Sequence, residues 1–302
     1  MFHRLSKAIK RHPGLYIMMI LPALYFLVFR YIPMGGLVMA FMNYNPIRGF
    51  SGSRWVGFAN FIRFFRSFFF GTLIWNTFSI SLYQLIFGFP IPIILAISIN
   101  EAVSKRLKKT VQMVTYAPYF ISTVVMVSII IQFLSPHYGI INFLLSKVGV
   151  GPINFMGISS YFKTIYVVSG IWQGMGYSSI VYIAALSAID PQITEAAIVD
   201  GASKFKRIIY IDIPFLMPTA ITLLILNAGR IMNIGFEKIF LMQNPMNLNT
   251  SEIISTYVYK IGLINTDYSL ATAIGLFNSV INLVLILIVN KLAKKYSEVG
   301  LF

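Results

Sequence analysis

The reading of this chain turns on "ITEAAIVDGASKFKRIIYIDIP", Ile193–Pro214, where acids, bases and small residues crowd together between two long apolar runs. Just ahead of it, Asp190-Pro191 is a helix start: the carboxylate can cap free N–H groups, and proline takes the position that needs none. That helix is expected to run to about Val199 and to stop at Gly201, which accepts the left-handed backbone of a chain reversal. Ser203 then caps a second helix, basic through Lys204, Lys206 and Arg207, leading to Pro214. The adjacent Ala196 and Ala197 leave a surface without bulk, and Glu195 and Asp200 put charge at its edge. A helix with so small a face, held outside a bilayer, is shaped to dock. Taken by themselves, the caps equally suit a solvated loop.

The flanks belong to a membrane. The 302 residues are 57% apolar and only 11% charged, where a soluble domain carries about 25% charged residues. So small a polar fraction cannot cover a water-soluble fold, and the chain is read as an all-α integral membrane protein. A spanning helix needs ~20 mostly apolar residues. Six stretches qualify, at about 15–41, 72–99, 111–134, 164–188, 214–235 and 272–291. The chain is expected to form one domain, 1–302, without strands. The basic start "MFHRLSKAIKRHPG" resembles a secretory leader, but the apolar run continues to about Phe41 with no cleavage pattern, so it reads as a retained first helix.

Lys and Arg set the orientation. Fourteen fall in the N-terminal tail, the 101–110 loop, the 189–213 loop and the C-terminal end; eight fall in the three longer intervening segments. Both termini and the Ile193–Pro214 loop are therefore placed in the cytoplasm. This bias, with anionic lipid, explains the net charge of +15 without nucleic acid. In the first outer segment Trp55, Phe58, Phe61 and Phe64 suit a helix lying along the headgroups.

Several chemistries are missing. There is no Gly-Lys pair, hence no phosphate-cradling loop for ATP. There is no cysteine, and His3, His12 and His137 are too scattered for a metal cluster. "GFSGS" (Gly49–Ser53) fails as a nucleophile elbow at its last position. The acids Glu101, Asp190, Glu195, Asp200, Asp212 and Glu298 fall on the cytoplasmic side and Glu237, Glu252 and Asp267 outside or at the rim, so no intramembrane carboxylate can run a proton relay. What remains is a pathway driven from elsewhere. A channel or passive carrier would need no docking helix.

The spacing of the loop makes this more specific. Glu195-Ala196-Ala197, three residues, Gly201, nine residues and Ile211-Asp212-Ile213-Pro214 resemble the E-A-A loop of ABC-importer permeases, with Ile in place of Leu at 213. "WVGFANF" (Trp55–Phe61), "NTFSISL" (Asn76–Leu82) and "TYAPYFISTVV" (Thr115–Val125) resemble the MalF-like sugar permeases. So does "FEKIFLMQNPMNLNTSEIISTYVYKIGL" (Phe236–Leu263), while the "NP" at Asn244-Pro245 with "TYVYKIGL" (Thr256–Leu263), "YSLATAIGLFNSVINLVL" and the "GLF" terminus resemble the LplB-type branch more closely, a branch associated with complex or acidic oligosaccharides. The resemblance implies a type I importer permease in a bacterial cell membrane, with no catalytic residue and no cofactor of its own. It implies a second permease subunit, a dimer of ATP-binding subunits carrying ATP and Mg, a solute-binding protein outside and a sugar substrate. Glu195, Ala196, Ala197, Asp200, Gly201, Ile211 and Pro214 would then couple to the ATPase. A permease for a non-sugar solute would share the loop but not these flanks.

Sugar contacts are expected from polar and aromatic groups on the inner spans: Trp172, Gln173 and Tyr177; Asn227, Arg230 and Asn233; Asn278 and Asn282. Asn227 and Arg230, three apart, share a helix face, and Arg230 suits a uronate. The same side chains suit links between spans. Gly170, Gly174 and Gly176 are expected to allow close span packing, including against the partner permease, and Pro90 and Pro92 to kink the second span.

Overall fold

A computed structural model describes residues 11, 13–229 and 231–297, in two compact units: 1–67 with 258–277, and 68–257 with 278–302.

In the first unit, α1 (Pro13–Phe26) continues through a π-turn (Leu27–Tyr31) and a short helix (Ile32–Met34) into a 3-10 segment (Gly35–Phe41). No side chain from Pro13 to Met34 is buried. The expectation of no strands is corrected here: β1 (Met42–Asn43) pairs antiparallel with β2 (Arg54–Trp55), Met42 opposite Trp55. Asn60 on α2 (Ala59–Phe65) holds this corner by donating to the carbonyls of Ala40 (2.9 Å) and Met42 (3.0 Å). Trp55, Phe58 and Phe61 gather around the Phe41 ring. Phe64, expected among headgroups, is instead buried against Phe277. Arg63 pairs with Asp267 at 2.7 Å.

The second unit holds α3 (Phe70–Gly88), α4 (Pro90–Asn100), α5 (Lys105–Tyr116), α6 (Thr123–Phe133), α7 (Ile140–Lys147), α8 (Ser159–Leu186), α9 (Pro191–Val199), α10 (Lys204–Arg207), α11 (Ile213–Ala228), α12 (Phe236–Met242) and the short α13 (Leu248–Ser251). After α14 (Ile254–Tyr259), α15 (Tyr268–Ser297) starts in the first unit and lies in the second from Asn278. The helix α8 is central, packing against α3, α4, α5, α11 and α13. Its ends are fixed by two cores: Phe162, Tyr166 and Val167 with Ile80, Met126 and Ile239, and Tyr182 and Leu186 with Ala96, Leu216 and Ala220.

Among the described residues four helices are long and apolar enough to cross a membrane: Pro13–Phe41, Phe70–Asn100, Lys204–Ala228 and Tyr268–Lys295. Lys105–Phe120 with Thr123–Phe133 makes a fifth only if a 102° bend lies within one span. The expected straight run over 111–134 is thus broken, because Pro118 sits in a 3-10 turn and Ser122 caps a new helix through the Val125 N–H. The 28-residue α8 is long enough to cross, but its Gly, Ser and Gln residues leave it short of apolar by composition, which suits a helix wrapped by others.

The fifth stretch also differs from its expected bounds of 214–235. It is helical from Lys204 and ends at Ala228, after which the chain unwinds. Pro214 does not stop it. A π-turn over Ile208–Asp212, closed by the Ile213 N–H on the Ile208 carbonyl, absorbs the bond that proline cannot make.

Candidate functional site

Two features of the second unit stand out. The first is the loop from Asp190 to Asp212. Asp190 accepts from the Gln192 N–H at 3.0 Å, and Pro191 takes the first turn of α9. At the other end Ala202 N–H bonds to Ala197 O (2.9 Å) and Gly201 N–H to Ile198 O (3.0 Å), the paired closure of a Schellman turn, with Gly201 at φ +76°. Ser203 caps α10 through the Lys206 N–H. Each local device read from the sequence is therefore present. Glu195, Ala196 and Asp200 are exposed and Ala197 partly so. The surface is also greasier than expected: Ile193 and Ile198 are about half exposed, Val199 is 87% exposed and Phe205 70%. Pro214 is exposed, and Ile211 is partly covered beside the buried Asp212.

The loop is tied to the bundle by a residue that the sequence reading assigned no role. Glu101, just past α4, receives Arg207 at 3.6 Å and Lys204 at 3.7 Å, and the Lys204 ammonium also donates to the Glu101 carbonyl at 2.8 Å. The Glu101 and Arg207 side chains are both mostly buried. The pairing crosses 103 positions of sequence, so no local pattern announces it.

The second feature is a cavity of about 700 Å³ walled by α3, α4, α8, α11 and the unwound 231–235 segment. Pockets of ~300–1,000 Å³ suit small organic ligands. One face of α8 makes its floor: Tyr166, Gly170, Gly174 and Ser178, at every fourth residue, with Tyr177 and Val181 alongside. Nothing would touch a Cβ at Gly174, so this glycine carves space rather than admitting a neighbour. Gly176 behaves as a packing glycine, since a Cβ there would overlap the Thr115 carbonyl of α5. Pro92 on α4 lies in the wall too, and the break between α3 and α4 falls at Phe89.

Of the eight residues expected along the pathway, Tyr177, Asn227 and Asn233 line this cavity. Tyr177 stacks face to face on Tyr119, 3.9 Å between ring centres. Trp172 lies outside the wall and is half exposed. Gln173 turns away and donates to the Ile121 carbonyl at 3.0 Å, a link between helices. Asn278 and Asn282 stand behind the wall: Asn278 donates to Asn233 Oδ1 at 2.9 Å, and Asn282 Oδ1 accepts from the Met232 N–H at 3.1 Å. They hold the unwound segment in place. Arg230, and with it the face it was expected to share with Asn227, lies outside the described residues. Ser81 and Gln84 on α3 complete the polar lining and were not foreseen; Ser81 Oγ donates to the Ile231 carbonyl.

Apolar helices long enough to cross a membrane, with a cavity hollowed along one helix between them, make this a helical membrane protein. The chain belongs to the family of binding-protein-dependent transport system inner membrane components, which it matches over residues 88–298. It is 40% identical to Protein LplB of Bacillus subtilis, over 98% of this chain and 93% of that one. It is also 40% identical to the polygalacturonan/rhamnogalacturonan transport system permease protein YteP of the same organism, over 95% and 90%. Among solved structures, a bacterial ABC transporter involved in the import of the acidic polysaccharide alginate superposes at a TM-score of 0.90 with 41% identity, covering 97% of this chain and 99% of that one. The bacterial alginate ABC transporter in complex with alginate pentasaccharide-bound periplasmic protein gives 0.91 at 41%, covering 99% and 100%.

Proposed function

We propose that this chain is one of two permease subunits of an ATP-driven, binding-protein-dependent importer that carries acidic oligosaccharide across a bacterial cell membrane. Both termini inside and an even number of crossings follow from the charge bias, and six apolar stretches make that number six, with the bent α5–α6 pair and α8 supplying the two that composition alone leaves open. A solute-binding protein delivers the sugar to the outer mouth, and a pair of ATPase subunits outside this chain burns the nucleotide.

The observation that carries the reading is the Asp190–Asp212 loop. Its two helices are closed by their own caps, it projects Ile198, Val199 and Phe205 into solvent, and Glu101 ties it to the bundle. Apolar side chains held rigidly outside the bilayer are suited to insertion into a cleft on a separate subunit. When the ATPase subunits close, a loop anchored in this way moves α4 and α11 with it. Both helices wall the cavity, so closure changes which side the cavity faces. Ala196 and Ala197 allow close approach, and Glu195 and Asp200 fix the orientation.

The test is a complex purified with its ATPase. Glu195→Lys and Gly201→Trp should insert in the membrane but lose the co-purifying ATPase or its sugar-stimulated turnover by at least about tenfold, an interaction of ~1.4 kcal/mol. A Gly201→Trp complex with unchanged ATPase retention and uptake would refute the docking role.

A further inference from the structure

The cavity has a cation behind its wall. Lys238 on α12 is 91% covered, with a relative exposure of 9%. Its ammonium donates to the Tyr166 carbonyl at 3.0 Å and lies 4.8 Å from the centre of the Tyr166 ring. Among the described residues no carboxylate comes within ion-pair distance of it, and the neighbouring Glu237 is exposed. A buried ammonium normally has an anion beside it, because a carbonyl and a ring face compensate only part of the lost hydration. At least one of its three donors remains unspent.

The position of the ammonium suggests what completes it. A Cβ built on Gly170 would lie 3.3 Å from Lys238 Nζ and 3.6 Å from Gln84 Nε2. Gly170, Gln84 and Tyr166 all line the cavity. Glycine at 170 therefore leaves a window in the wall, and the lysine and the glutamine amide converge on it. Any side chain at 170 would shut the cation off from the cavity. We propose that Lys238, with Gln84, is the site that reads the carboxylate of a uronate residue through the window left by Gly170. Neutral sugar hydroxyls could meet the asparagines of the wall equally well, so this pair gives preference for an acidic sugar rather than sugar binding as such. The proposal rests on the oligosaccharide importer reading above. Burial pushes the ammonium down to about 8, so at neutral pH the site still holds a charge and remains short of its counter-ion.

The experiment uses the whole complex in proteoliposomes: both permeases, the ATPase and the binding protein. The probes are a galacturonic acid tetrasaccharide and its carboxyl-reduced, neutral counterpart. Wild type should take up the acidic form faster. Lys238→Met should lower uptake of the acidic form by about tenfold or more and leave the neutral form within about twofold, a selective loss of ~1.4 kcal/mol. Lys238→Arg should keep most of the preference, and Gly170→Val should lose it while ATPase retention persists. Methionine in place of a buried cation is not expected to unfold the bundle, and retained ATPase and thermal midpoint would establish that it has not. Equal losses on both probes mean a structural role and overturn the proposal, as does a Lys238→Met complex that keeps the wild-type preference. If the wild-type complex itself prefers the neutral form, the acidic-substrate reading falls and takes this site with it; if wild type prefers the acid and the variant does too, only the lysine falls.

Discussion

The Asp190–Asp212 loop and the hollow face of α8 lie in the same compact unit, yet they are built in opposite ways. The loop is made of local devices, each closing within six residues: the Asp190 cap, the Schellman turn at Gly201 and the Ser203 cap. The cavity is local only in its floor on α8. Its wall draws on four helices and an unwound segment, from Ser81 to Gly235, and two asparagines on α15 brace it from behind. A local device survives transplantation to any context, so its residues can be read one at a time. A wall built from distant pieces can only be read once the pieces are assembled.

Two glycines on α8 give the sharpest way to break that contrast. Gly176→Ala drives a methyl into the backbone of Thr115, which cannot yield, and should destabilise the complex by ~1–3 kcal/mol or prevent assembly. Gly174→Ala meets nothing, and should hold or raise the thermal midpoint, since alanine favours a helix by ~1 kcal/mol. If both variants melt alike, the cavity is a packing seam and its reading here is wrong. The bulkier Gly174→Leu should fold and assemble while uptake falls, because its side chain enters the space the sugar would occupy.

Glu101 tests whether the loop is as self-contained as its caps suggest. Glu101→Gln leaves all three caps intact but removes the carboxylate paired with the mostly buried Arg207, leaving Asp212 as its remaining acidic neighbour. The expected result is normal ATPase binding with uptake reduced several-fold per ATP hydrolysed, on the scale of ~1–2 kcal/mol for a half-buried pair losing one partner. Unchanged coupling would show that the loop transmits motion through α11 alone.

The smallest effect expected is a pH slope. With the Lys238 ammonium held near 8, half-saturation for the acidic tetrasaccharide should be flat below about pH 8 and weaken above it, as the amine loses its charge. The neutral sugar should show no such trend. Stability runs the other way. A free lysine titrates near ~10.4, so between about 8 and that value the unfolded chain holds more protons, and the contribution of this group to stability rises with pH.

These contrasts account for what was legible in the sequence. Cap residues, proline at a first helical turn and glycine at positive φ follow from the chemistry of single positions, and the family spacing lies in the same loop. Proline marks a helix boundary by its own chemistry, so the course of α11 is not legible at Pro214, where a π-turn carries the helix past it. The bend at Ser122 was missed because an apolar run gives no sign of its direction. In the cavity, the fourfold spacing Tyr166-Gly170-Gly174-Ser178 was present in the sequence, but glycine stripes more often let helices touch than keep them apart. Asn278 and Asn282 were chosen for polarity and turned out to serve as struts. Lys238 had a faint signal, a lone cation in the otherwise apolar run "KIFLM", which helical periodicity alone could not separate from a surface residue.

Among the described residues, the N-terminal stretch from Pro13 to Met34 buries none of its side chains. Fatty acyl tails or an adjoining subunit are left to cover those exposed faces, and swaps among leucine, isoleucine, methionine and phenylalanine there should pass unnoticed by the transport machinery downstream.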